Sequence, residues 1–290
     1  MRCWLARSLR LGQTVDNQGV KWMQPSPEVR RGRSAHGALP RQLSPPGDDR
    51  SLRRAEAVVQ RIIAERHDRP SLVARIASEV GAAIVVGRLV PGDDLNSVEL
   101  SRRYQTSRTP VREALMLLEK EGLVDVPPRR RPRVVILSIA EIREIYQARA
   151  ALLDLIAQDT VREATADDLT GLRDLLDGMR RGWKQRDLDA YVWANVDFYD
   201  RNTQLTHNRT VKRIFDSLLL RTLPLRRLSL SRPGRMQRSF DDHRRLMQAY
   251  EDRDATLASA LLRSNHINAL AALETYLATV SGPLAEHVER

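Results

Sequence analysis

The chain has 290 residues, of which 42% are hydrophobic and 29% charged, and its formal net charge is +11. This length exceeds that of a usual single domain, so we expect two domains and a tail. The excess of Lys and Arg favours a polyanionic partner, because phosphate contacts release condensed counterions. The single cysteine, Cys3, excludes an intrachain disulfide and a thiolate metal cluster.

No stretch of the sequence predicts a membrane span or a secretion signal. Arginines interrupt the N-terminal apolar residues before they form a signal-peptide core, and no later segment reaches the roughly 18 apolar residues of a span. We therefore expect a cytoplasmic protein with no membrane partner.

The N-terminal region divides into a tail and a helix. Residues 1–50 are rich in Pro, Gly, Ser, Gln and Arg and lack an apolar period, which predicts a disordered basic tail. From Ser51 apolar residues recur at helical spacing, and they predict a helical arm over residues 51–69, before a second helix that begins near Ser71 and ends at Gly87.

Residues 70–137 have the pattern of two closely spaced helices followed by a hairpin. A turn cluster at 87–93 precedes a short helix over 97–104, and a longer helix follows over 108–121. Two β-rich runs, 123–126 and 133–137, flank a bend rich in Pro and Arg. This order predicts a winged helix-turn-helix domain.

After Ile139 no strand pattern recurs. Helices are predicted over 139–163, 167–185, 187–206, 208–222, 236–252 and 254–279, with breaks at Pro224, Pro233-Gly234 and Arg253-Asp254. The predicted fold class is therefore mainly α, with an N-terminal winged helix-turn-helix followed by an all-α helical bundle over residues 138–280 and a tail over 281–290.

Four ordered motifs resemble the GntR family of regulators. They are 87–95 (GRLVPGDDL), 99–101 (ELS), 107–115 (SRTPVREAL) and 118–124 (LEKEGLV). The resemblance covers the whole predicted winged domain. It implies a transcription regulator that binds a pseudo-palindromic operator in double-stranded DNA.

The helix predicted over 108–121 takes the place of the family's recognition helix. Such a helix presents basic and polar side chains of its N-terminal end to the major groove. Arg108 and Arg112 are four residues apart and share a helix face. The resemblance implies that they contact bases or phosphates, and that Ser107 and Thr109 hydrogen-bond the DNA backbone. The alternative is that both arginines only pair with acidic residues of their own helix.

Two positions depart from the family pattern. Val98 stands where many members carry an arginine, so one base or phosphate contact is expected to be absent. The wing tip often contains glycine in the family but here has the sequence PPRRRPR over 127–133. Arg129, Arg130 and Arg131 are expected to reach phosphates or a minor groove, the alternative being a merely solvated charge run.

The helical region resembles FCD, the effector-binding and dimerisation domain of the FadR-like subfamily. The matching segments are 142–152 (IREIYQARAAL), Phe198 with Asn208 ten residues later, 242–249 (DHRRLMQA), Arg253-Asp254 and 262–267 (LRSNHI). The resemblance implies a homodimer and a small organic acid as effector. Arg149 is a candidate anchor for a carboxylate, or else one half of an interhelical ion pair. Asn208 is expected to cap a helix.

The metal site of many FCD domains is altered here. That site uses an Asp, a His one helical turn later and two further histidines, and only the last two are present, as His243 and His266. Asn195 and Tyr199 stand in the aligned places of the first pair, and a neutral amide and a phenol are poor ligands for zinc-like ions. We therefore predict no cofactor and no metal, and a polar pocket of these four residues that hydrogen-bonds the effector. A divalent metal, if present, would use His243 and His266.

Two rival classes are an enzyme and a nonspecific architectural DNA-binding protein. With six histidines, no Gly-rich phosphate loop, no nucleophile elbow and no metal-protease helix, the chain is not expected to be an enzyme, metal-dependent or otherwise. An architectural protein needs no helical domain with inward polar residues. The predicted function is therefore a sequence-specific transcription regulator whose operator affinity is modulated by a small carboxylate effector.

Overall fold

A computed structural model describes residues 5–6, 37–38, 47–64 and 71–281 of the chain. In these ranges the helices are α1 (Asp49–Ala64), α2 (Leu72–Val85), α3 (Ser97–Arg103), α4 (Arg108–Lys120), α5 (Ile139–Glu163), α6 (Ala166–Gln185), α7 (Leu188–Leu205), α8 (Arg209–Leu230), α9 (Arg235–Glu251) and α10 (Ala255–Ser281). The strands are β1 (Leu5–Ala6), β2 (Gly37–Ala38), β3 (Val124–Asp125) and β4 (Arg133–Val134). The predicted mainly α fold class is confirmed.

The predicted tails lie largely outside the described residues. Within 1–50, β1 and β2 form a short parallel pair, and α1 begins at Asp49, two residues before the predicted arm. At the other end, α10 ends at Ser281, and 282–290 are outside the described residues.

Helices α2 to α4 and the β3–β4 hairpin form the predicted winged helix-turn-helix. The Ser71 hydroxyl caps α2 by accepting from the Ala74 amide at 3.1 Å, and the Asn96 side chain caps α3. The buried stripe of α4, which begins with Val111 and ends with Leu118, packs on the core shared with α2. These contacts orient the opposite face of α4 outward.

The strands of the wing are shorter than predicted, and β4 has a second partner. One side of β4 pairs antiparallel with β3, where Val124 lies opposite Val134. On the other side, the backbone N–H of Val134 donates to the carbonyl of Asp93 at 3.0 Å, and that of Gly92 donates to the carbonyl of Val134 at 2.9 Å. The family-like turn at 87–95 therefore supports the wing directly.

Helix α1 is a packed element that contacts both halves of the chain. Its fully buried residues Ala55, Val59, Ile62 and Ile63 belong to one apolar cluster with α2, α4, α7 and α8. The Trp193 indole of α7 donates to the Ser51 hydroxyl at the start of α1, at 3.0 Å. The winged domain, α1, α7 and α8 therefore share one core.

Helices α5 to α10 form the predicted all-α bundle. Asn208 caps α8, its side chain accepting from the Thr210 and Val211 amides, as predicted. The break predicted at Pro224 is wrong, because α8 continues through it to Leu230. Proline costs one helix hydrogen bond, but the flanking Leu223 and Leu225 are buried, and their packing keeps the helix continuous.

None of the described helices is both long and apolar enough to cross a bilayer.

Candidate functional site

The N-terminal end of α4 presents four polar side chains to solvent. Ser107, Arg108, Thr109 and Arg112 are all exposed. Ser107 occupies the N-cap position, but its side chain makes no capping hydrogen bond, so the hydroxyl is available to another acceptor or donor. The four residues predicted to contact DNA therefore all lie on the surface.

In the described part of the chain, the acidic residues of α4 form no ion pairs with Arg108 or Arg112. Among the described residues, neither Arg108 nor Arg112 forms an ion pair, whereas Glu119 accepts a hydrogen bond from the Val126 amide at 3.1 Å. Glu119 therefore braces the wing, and both guanidinium groups are left for an external anion.

The wing tip carries three exposed arginines, Arg129, Arg130 and Arg131, beside this surface. Arg129 adopts a left-handed backbone conformation with φ of 60°, which turns the chain at the tip. Arg133 differs from them because its Nε donates to the Asp94 carboxylate at 2.7 Å, anchoring the base of the wing.

The five candidate effector residues come together inside the helical bundle. Arg149 lies on α5, Asn195 and Tyr199 on α7, His243 on α9 and His266 on α10, and all five are buried. A small cavity is lined by four of them, the exception being His243.

His243 supports the pocket from behind. Its Nδ1 donates to the Ser239 carbonyl at 2.6 Å, and its Nε2 accepts from the Asn195 amide at 3.2 Å. Burial lowers the pKa of His243 to about 4, so the imidazole is neutral near pH 7. It therefore orients Asn195 rather than facing the cavity.

Arg149 is a buried cation with unused donors. Its guanidinium lies 4.0 Å from the centre of the Phe215 ring, and its Nε donates to His266 Nε2 at 3.3 Å. Both Nη atoms are buried without a hydrogen-bond partner in the described part of the chain. Burial, with a smaller contribution from Arg226, lowers the pKa of Arg149 to about 9, so the group is still charged at neutral pH. The alternative of an interhelical ion pair is not observed among these residues.

Three nitrogen-bearing side chains of the pocket were not predicted from the sequence. They are Arg226, Arg235 and Asn265. Arg226 Nη1 donates to the Asn195 carbonyl oxygen at 2.6 Å, and the Asn265 amide donates to the Tyr199 hydroxyl at 3.1 Å. The available signal was an arginine within the leucine-rich segment that follows Pro224, which is unusual for a buried helix.

The donor set around the two histidines does not fit a divalent metal. His243 Nε2 accepts from Asn195, and His266 Nε2 accepts from Arg149, so both lone pairs at these positions are engaged. In the described ranges, no three His, Cys, Asp or Glu side chains form a group able to hold a metal ion.

The two aspartates of α7 nearest these positions face away from the pocket. Asp197 forms an ion pair with Arg54 of α1, and Asp200 forms one with Arg61 at 2.8 Å. They tie α7 to α1 and supply no anionic ligand to the cavity.

Two family models match these two regions. The model for bacterial regulatory proteins of the gntR family matches residues 72–134, and the FCD domain model matches residues 144–269. Together they span well over half of the chain. The chain therefore belongs to the GntR family, in the FadR-like group whose members carry an FCD domain, and it is a transcription regulator rather than an enzyme.

Similar proteins include further bacterial regulators. The chain is 26% identical to the HTH-type transcriptional regulator YdhC of Bacillus subtilis (strain 168), over 62% of this chain and 82% of that protein. It is also 26% identical to the gluconate operon transcriptional repressor of Bacillus licheniformis, over 66% of this chain and 81% of the repressor. The fold is shared with E. coli McbR/YncC at a TM-score of 0.63 and 21% identity, over 72% of this chain and 100% of that one.

Proposed function

We propose that this regulator recognises its operator through α4 and the wing, and that a small carboxylate bound at Arg149 changes its affinity for the operator without a metal. The observation that carries this proposal is the buried Arg149, which is 1% exposed, lines the bundle cavity and has two unpartnered Nη atoms. A guanidinium with two free N–H groups matches a carboxylate bidentately. One relative is named for the gluconate operon, and gluconate is a small carboxylate.

DNA recognition rests on the exposed end of α4. Arg108 and Arg112 are free of ion pairs within the described residues, and Ser107 and Thr109 flank them. Two copies of the chain, associated through their helical domains, would place two such helices on the half-sites of a pseudo-palindrome. This arrangement makes operator affinity sensitive to the relative geometry of the two subunits.

Helix α7 gives one route from the pocket to the winged domain. Asn195 faces the pocket, while Trp193 donates to Ser51 of α1 and Asp197 pairs with Arg54 of α1. A ligand that hydrogen-bonds Asn195 therefore acts on α7, and the opposite face of α7 contacts α1.

Helix α8 gives a second route. Arg226 lines the pocket, and Arg221 packs against the turn after α4, where a Cβ on Gly122 would lie 2.8 Å from the Arg221 Nε. Because Gly122 also has φ of 71°, only glycine fits both the backbone and this contact. In this proposal α8 and α4 have two relative positions, one favoured with ligand and one without it. Ligand binding shifts the population between them.

The proposal is tested by operator binding at fixed salt. Genomic footprinting with the purified chain would identify the operator, and a regulator should prefer it over random DNA by more than about a thousandfold. Carboxylates of two to six carbons, gluconate included, are then titrated into the complex with wild type, Arg149→Gln and the exposed control Arg180→Gln. We expect Arg149→Gln to bind operator normally and lose the response. A retained response, or the absence of a preferred site, would contradict the proposal.

A further inference from the structure

Three arginines from three helices converge on the effector pocket. Arg149 of α5, Arg226 of α8 and Arg235 of α9 all line the cavity, and each is more than nine-tenths buried. The charges of all three arginines act on the hydroxyl group of Tyr146. Burial raises the pKa of Tyr146, while the charges of the three arginines all act to lower it. The pocket therefore carries a concentrated positive charge.

None of the three arginines forms an ion pair within the described chain. Two acidic residues act on them without such a contact. The charge of Asp216, which is paired with Lys212 at 2.6 Å, acts to raise the pKa of Arg149, and the charge of Asp242 acts to raise the pKa of Arg235. Asp242 Oδ2 has no hydrogen-bond partner there. Unpaired buried charges are costly, so a binding partner of opposite charge is expected.

The unused donors lie on two different guanidinium groups. Arg149 has both Nη atoms unpartnered, and Arg235 has Nε and Nη1 unpartnered. Arg226 is occupied, because it donates to Asn195 and its guanidinium lies 4.9 Å from the centre of the Tyr199 ring. The free hydrogen-bonding capacity is thus divided between α5 and α9.

We propose that the effector carries two anionic groups, one bound by Arg149 and the other by Arg235, with Arg226 adding charge and fixing Asn195. A dicarboxylate and a phosphorylated carboxylate share this chemistry. The inference rests on the proposed function in that Arg149 is taken as a carboxylate anchor. It adds the second anionic subsite at Arg235, which a monocarboxylate would leave empty.

Matched ligands test the number of anionic groups in the wild-type full chain. Calorimetric titrations at constant pH and ionic strength compare succinate with its monoamide succinamate, which has nearly the same shape and one charge fewer, and 2-phosphoglycolate with glycolate. We expect each ligand with two anionic groups to bind at least tenfold more tightly than its counterpart with one and to raise the melting temperature. The tighter of the two ligands with two anionic groups identifies the second group as carboxylate or phosphate.

Variants then locate the second subsite. We expect Arg235→Gln to abolish the preference for ligands with two anionic groups, whereas Arg244→Gln, at an exposed arginine on the same helix, keeps it. Equal binding of ligands with two anionic groups and with one, no binding by any of the four compounds, or a preference that survives Arg235→Gln would overturn the proposal.

These results separate the inference from the proposed function. If monocarboxylates alter operator affinity through Arg149 but not through Arg235, the proposed function stands and the second subsite is wrong. If Arg149→Gln leaves every response intact, both are wrong.

Discussion

The side-chain amide of Asn195 donates to Nε2 of His243 at 3.2 Å, and this hydrogen bond, with the one from Nδ1 to Ser239, selects one neutral tautomer of a buried imidazole. Protonation would place a second proton against the amide donor. Since the pKa of His243 is lowered to about 4 in the folded chain and is near 6.5 when unfolded, the unfolded chain binds more protons between these values. Stability is therefore present above pH 6.5 and is lost as the pH falls toward 4.

The first prediction concerns this pH dependence. Between pH 7 and pH 5 we expect His243 to account for about 2 kcal/mol of the loss in unfolding free energy. His243→Gln, which does not titrate, should reduce the loss by that amount in urea unfolding at the two pH values. His207→Gln, which removes an exposed histidine after α7, is the matched control variant. An unaltered slope in His243→Gln would show that this imidazole is not held neutral.

The second prediction concerns metal. Because the histidine Nε2 atoms accept from Asn195 and Arg149, we expect the chain purified without chelator or metal-affinity resin to contain far less than one equivalent of zinc, nickel or manganese. Elemental analysis by mass spectrometry measures this directly. A stoichiometric metal that is retained in the wild type and lost in His243→Ala would restore the ordinary family site.

The third prediction concerns α1. Ile62 is 2% exposed in the cluster that joins α1 to the winged domain and to α7 and α8. We expect Ile62→Ala to lower the unfolding free energy by about 2–5 kcal/mol, through lost burial and the cavity it leaves. Met116→Ala, at an exposed apolar side chain of α4, should cost far less. A similar, small loss of unfolding free energy in both variants would mean that α1 does not pack on the rest of the chain.

The fourth prediction concerns the wing. Arg130→Ala should weaken binding to specific and random DNA alike, and it should reduce the slope of log affinity against log salt by about 1, because one phosphate contact is lost. Arg129→Gly removes a charge while suiting the left-handed backbone at this position, so it should lower the slope without unfolding the wing. An unchanged slope in both variants would mean that the wing stays off the phosphates.

Local signals in the sequence predicted most of the fold. The stripe from Val111 to Leu118 defines α4, and Asn208 marks the start of α8, because period and capping depend on neighbours in the chain. The break predicted at Pro224 was wrong because the prediction used only local signals. A proline usually ends a helix, but the tertiary packing of Leu223 and Leu225 explains why α8 continues.

The pocket was predicted only in part. Arg149, Asn195, Tyr199 and His266 were found by resemblance to a family pattern, and the structure brings them together around one cavity. Arg235 stands beside the turn at Pro233-Gly234 and shows no apolar or charge pattern of its own. Its convergence with residues on α5 and α8 depends on how the helices pack, which no local spacing encodes.

The operator affinity of Arg112→Ala at fixed salt tests whether α4 reads the operator. We expect a loss of about 1–3 kcal/mol on the footprinted operator and weaker discrimination at one base position, because Arg112 is exposed at the N-terminal end of α4. The same assay on random DNA should show a smaller loss, and the control Arg180→Ala should show none. Wild-type affinity and discrimination in Arg112→Ala would contradict the assignment of α4 as the recognition helix.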